Sequence, residues 1–120
     1  MGSDKPKLGV VRIAPSVLAT IVQLTTLETP GVARMGLGRD LHPGGGGLRP
    51  LGRAQAGASD GVRLLVQDGT VLVDVAVIAQ RGHALRQLGK TIQGAVADAL
   101  HLMVGMPVAE VNVYIENVAD

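Results

Sequence analysis

Residues 80–93 read QRGHALRQLGKTIQ, and how this stretch folds decides the architecture. It contains Gly89-Lys90-Thr91, the tail of the phosphate-loop pattern GxxxxGK[ST], with Ala84 where the first glycine would stand. An apolar run from Val71 precedes it, as in a nucleotide-binding strand. A phosphate loop would need residues 80–89 to be loop, with the helix starting at Lys90. The apolar spacing points elsewhere. Leu85, Leu88, Ile92, Ala95, Val96, Ala99, Leu102 and Met103 form a stripe at helical period, so a helix is expected from about His83. Lys90 then lies inside that helix, where backbone N–H groups are already used. Gly105 caps the far end and Pro107 prevents continuation.

Upstream, Val62, Leu64 and Val66 alternate with Arg63, Leu65 and Gln67. Asp68-Gly69 follows, the two-residue hairpin signal whose central positions both need positive φ. Val71, Val73, Val75, Val77 and Ala79 form the return strand. Leu72, Ala76 and Ile78 on its other side imply that both faces are covered, with Asp74 interrupting the second. Downstream, Val111, Val113 and Ile115 face inward, while Glu110, Asn112, Tyr114 and Glu116 face outward.

At the N-terminal side, residues 1–8 read as a flexible lead. Gly9–Ile13 reads as a short strand. Pro15 opens a helix at the position that tolerates its missing N–H, with Val17, Leu18, Ile21, Leu24 and Thr25 near helical spacing. Thr29-Pro30-Gly31 ends it, and Val32–Met35 reads as a second strand. Residues 36–59 hold Pro43, Gly44–Gly47 and Pro50, and read as a mobile, Gly-rich loop bearing Arg39, Arg49 and Arg53. The expected fold is α+β: one two-layer domain over 9–118. Its order is β-α-β, long Gly-rich loop, β-β-α-β, with helices on a mixed or mainly antiparallel sheet.

Composition narrows the chemistry. The chain has 120 residues, 47% of them apolar, with no Cys, Phe or Trp and one Tyr, Tyr114. Thiolate sites and Cys nucleophiles are excluded, as is an aromatic platform for single-stranded nucleic acid. The formal net charge of +1 gives no global field toward DNA or RNA. No apolar run spans a bilayer, so a cytoplasmic protein is expected. His83 and His101 would stand roughly 27 Å apart on one helix, and His42 lies in the Gly-rich loop. Ser3, Ser16 and Ser59 lack a nucleophile context. No catalytic residue, cofactor, metal ligand or small-molecule substrate is therefore expected. What remains is Arg81, Arg86 and Lys90 at the start of the second helix, a basic end placed against the macrodipole. It is either solvated surface or a patch that docks a partner.

The run Gly82, Leu85, Ile92-Gln93, Val96, Met103, Gly105, Val108, Val111-Asn112-Val113 and Val118 resembles the C-terminal signature of the alkaline shock protein twenty-three family. Gly9, Val11, Ile13-Ala14, Val17-Leu18, Ile21 and Pro30-Gly31-Val32 are similar to its N-terminal signature, and Gly61-Val62 with Asp68-Gly69 fits its central hairpin. The family often has Tyr where Arg81 stands and a small polar residue where Val104 stands. The resemblance implies a non-enzymatic cytoplasmic protein of bacterial envelope stress and homeostasis. It also implies self-association into a homo-oligomer and recruitment to the inner face of the membrane by an anchor protein. Two alternatives stay open. One is a nucleic-acid module using the Arg-bearing loop, in which Gly44–Gly47 matches GxxG. The other is a nucleotide-binding protein using Gly89-Lys90-Thr91.

Overall fold

A computed structural model describes residues 6–44 and 54–120. The described elements run α1 (Pro15–Glu28), β1 (Val32–Met35), β2 (Ala54–Ser59), β3 (Val62–Gln67), β4 (Thr70–Gln80), α2 (Leu85–Val104) and β5 (Val108–Ala119). The fold is α+β, as expected.

β4 organises the sheet. β5 pairs with it in parallel along 71–80, whereas β3 pairs antiparallel with 70–75 and β1 antiparallel with 77–79. β3 and β1 thus share one edge of β4. At their junction the Ala76 N–H donates to Gly61 O (2.8 Å) and its carbonyl accepts from Gly36 N–H (2.8 Å). β2 continues the sheet beyond β3. The β3–β4 hairpin turns on Asp68 (φ 53) and Gly69 (φ 73), the two positive values that its dipeptide requires.

Alternation along β4 divides its side chains between two environments. Val71, Val73, Val75, Val77 and Ala79 are buried in one cluster with Leu18 and Val22 of α1 and Leu88, Ile92, Val96 and Leu100 of α2. The four α2 residues recur every fourth position, which keeps them on one stripe. Leu102 and Met103, expected on that stripe, are exposed, and Leu100 takes the inward place. On α1 likewise, Val17 and Leu24 are largely exposed while Leu18, Ala19, Val22 and Thr26 are buried. The Thr26 hydroxyl is satisfied by Val22 O at 2.7 Å. α1 sits low over the sheet because Gly57 has no side chain. A Cβ there would lie 2.6 Å from the Pro15 carbonyl carbon.

The other sheet face is covered too, and its cover comes from the segment expected to be mobile. Residues 36–44 cross it, with Leu41 buried. The ties are two carboxylates. Asp74, fully buried, accepts the His42 N–H (3.0 Å) and the Asn112 side-chain amide (3.0 Å). Glu116 accepts the Leu37 N–H (2.9 Å) and the Gly38 N–H (3.3 Å).

Three expectations need correction. Residues 36–59 are not one loop: 36–44 are tied down, 54–59 form β2, and Gly45–Gly47 with Arg49 and Arg53 lie outside the described residues. Gly9–Ile13 is not a strand; it is exposed and pairs with none of the described strands. The second helix starts at Leu85, two residues after His83, once the positive φ of Gly82 has turned the chain.

Candidate functional site

The start of α2 gathers the sequence-derived candidates. Arg81 follows β4 directly, in the turn. Arg86 and Lys90 stand four residues apart within the helix, hence on one face. All three are exposed. The helix start itself is electropositive. Ala84, its N-cap, offers no side-chain acceptor, and the first turn carries no acid. The leading N–H groups and the partial charge of the dipole therefore add to the three cations. One counter-charge approaches: Arg81 Nη2 lies 3.4 Å from Asp120 Oδ1, with the side chains 76% and 101% exposed. Solvent screens such a pair, so it orients Arg81 without neutralising the surface.

His83 turns away from this group. It packs with Leu88 against the α1–β1 connection, where a Cβ on Gly31 would meet His83 Nδ1 and Leu88 Cδ1, each at 3.0 Å.

Gly89-Lys90-Thr91 forms no phosphate loop. The three residues lie in the second turn of α2, between buried Leu88 and buried Ile92. The Thr91 hydroxyl donates to Gln87 O one turn back in the same helix (3.0 Å).

Apart from this surface, an open cleft of about 470 Å³ lies where β1 meets the β2–β3 turn. Arg34, Arg63, Asp60, Ser59 and Gln23 line it together with Leu27 and Leu37. Part of its polar lining is already hydrogen-bonded. Arg63 donates to Ser59 O (3.1 Å) and Val62 O (2.8 Å), and Ser59 hydrogen-bonds Gln23. No nucleophile and base face each other across it. Among the described residues no group of three or more His, Asp or Glu side chains is placed to hold a metal.

Sequence reasoning missed Asp74 and Glu116 as clamps. The signal for Asp74 was present. An acid on the second face of an otherwise apolar strand has to be hydrogen-bonded once that face is buried. Glu116 carried no such signal, because acceptance by two backbone amides of a distant segment is visible only in three dimensions.

These features define a class: a small two-layer α+β domain whose concentrated chemistry, among the described residues, is surface charge at the start of α2. A family comparison makes the assignment specific. The sequence model of the alkaline shock protein twenty-three family, described by a cell envelope-related function, matches residues 3–119, and the chain belongs to that family. No curated protein and no solved structure matches the chain.

Proposed function

We infer that this chain is a non-enzymatic cytoplasmic protein of envelope stress response and homeostasis. It acts through protein–protein contacts, self-associates, and is held at the inner face of the membrane by a separate anchor. The observation that carries this reading is the family match over residues 3–119. Three features of the molecule support it. No helix among the described residues is long and apolar enough to cross a membrane, so attachment through a partner suits the chain. Leu24, Leu37, Leu102 and Met103 stand largely exposed, apolar surface of the kind that subunit contacts cover. Arg81, Arg86 and Lys90 form an electropositive helix start suited to an acidic partner surface.

The test is the triple reversal Arg81→Glu, Arg86→Glu and Lys90→Glu. These exposed positions should tolerate the change, with circular dichroism unaltered. Crosslinked pull-down from the native cell should lose the partner that wild type captures. If the captured set is unchanged, the basic end is solvated surface and the docking role fails. Sedimentation of wild type tests self-association separately, and a strict monomer at high concentration removes it.

A further inference from the structure

We propose that Val10–Ile13 of one copy adds as a strand to the outer edge of β5 in a second copy. This rests on the self-association inferred above and supplies its contact. The segment has the alternation of a strand yet pairs with none of the described strands. Val10, Val11 and Ile13 are 76%, 91% and 45% exposed. An apolar, β-branched run left in water is a strand awaiting an edge.

β5 provides that edge. Its 12 residues pair only with β4 among the described residues. Sheet edges are usually blunted by Lys, Pro or side-chain cover. β5 contains neither Lys nor Pro. Its cover is local: the Gln93 side chain donates to Val111 O (3.0 Å), and Asn117 Oδ1 accepts the Val118 N–H (2.8 Å). Between these caps the backbone of residues 112–117 takes no hydrogen bond from a side chain among the described residues, a length that accepts a four-residue guest.

Net charge favours this occupant, although Asp120 also faces Arg81 and Glu116 also accepts the Leu37 and Gly38 amides. Residues 108–120 carry Glu110, Glu116 and Asp120 with no Lys or Arg, whereas residues 6–13 carry Lys7 and Arg12 with no acid. Alternation fixes the register. Val11 and Ile13 would extend the side of β5 that bears Val113 and Ile115, placing Arg12 on the side of Tyr114 and Glu116. A one-residue slip would reverse this and set Arg12 against the apolar side. The occupant comes from another copy because α1, which follows the segment, begins over β2, at the opposite edge of the sheet.

The chain has no native Cys, so paired cysteines report the contact directly. Single variants with Cys at each of positions 10 to 13 are mixed in turn with a Tyr114→Cys protein under mild oxidation. Between-chain disulfides should form with a period of two along the segment, because a strand presents alternate side chains to one face. In parallel, Val11→Asp/Ile13→Asp should weaken self-association by about tenfold or more with circular dichroism unchanged. Absence of between-chain disulfides, or disulfides without alternation, overturns the proposal. So does full association of the Asp variant, which would leave self-association standing on another surface. A wild type that stays monomeric removes both readings.

Discussion

Asp74 shows how much one residue can organise. A carboxylate at full burial is tolerated only when its oxygens are hydrogen-bonded, and here its acceptors tie together three parts of the chain: β4, the segment at 36–44 and β5. Asp74→Ala would leave the His42 N–H without its acceptor and remove one of the two acceptors of the Asn112 amide, the other being Glu110. The expected loss is about 2–4 kcal/mol of stability by urea denaturation. Asp74→Asn, which keeps one acceptor oxygen, should cost less. Amide exchange locates the effect, since His42 should lose protection while α2 keeps it. A loss below about 0.5 kcal/mol, in the range of ordinary surface substitutions, would show that the clamp does not hold the segment.

At the scale of elements, α2 was legible because two signals agreed. The 3.6-residue stripe through Leu88, Ile92 and Val96 required a helix, and Gly105 with Pro107 marked its end. The helix stops where they indicate, at Gly105 in the left-handed conformation. Gly89 allows a sharp test of loop against helix. A phosphate loop needs that glycine for close backbone approach, whereas a helix only loses stability by it. A Cβ added at Gly89 or Gly94 meets no atom within 4 Å. Gly89→Ala and Gly94→Ala should each stabilise the protein by about 0.5–1 kcal/mol, raising Tm together. A lower Tm for Gly89→Ala would mean that the residue serves something other than the helix. β2 was not legible for the opposite reason. AQAGAS has no β-branched or aromatic residue, and its strand state is imposed by pairing with β3 and by α1 above it. One cue was nevertheless available: Asp60-Gly61 repeats the dipeptide at Asp68-Gly69, and it turns the chain between β2 and β3.

For the molecule as a whole, the hydrophobic pattern prescribed two helices packed on a mixed or mainly antiparallel sheet, but it could not say which segments would find partners. Gly9–Ile13 has strand composition and pairs with none of the described strands, whereas 54–59 lacks it and is paired. Pairing is decided by edges, and an edge is a property of the assembled sheet rather than of a segment. The basic end was legible as charge; what approaches it, Asp120, depends on β5 running parallel beside β4 and ending next to Arg81. The unpaired segment also yields a prediction about the isolated chain. If Val10 and Val11 contribute nothing to the monomer's core, Val10→Ser with Val11→Ser should change stability by no more than about 0.5 kcal/mol, as substitutions outside packed regions do. If the segment were instead a strand of its own domain, two buried valines would become serines, at a cost of several kcal/mol by lost transfer and cavity terms. Urea denaturation in dilute solution, where copies are apart, separates the two outcomes. A large loss there would place Gly9–Ile13 inside its own sheet and withdraw it as a free strand.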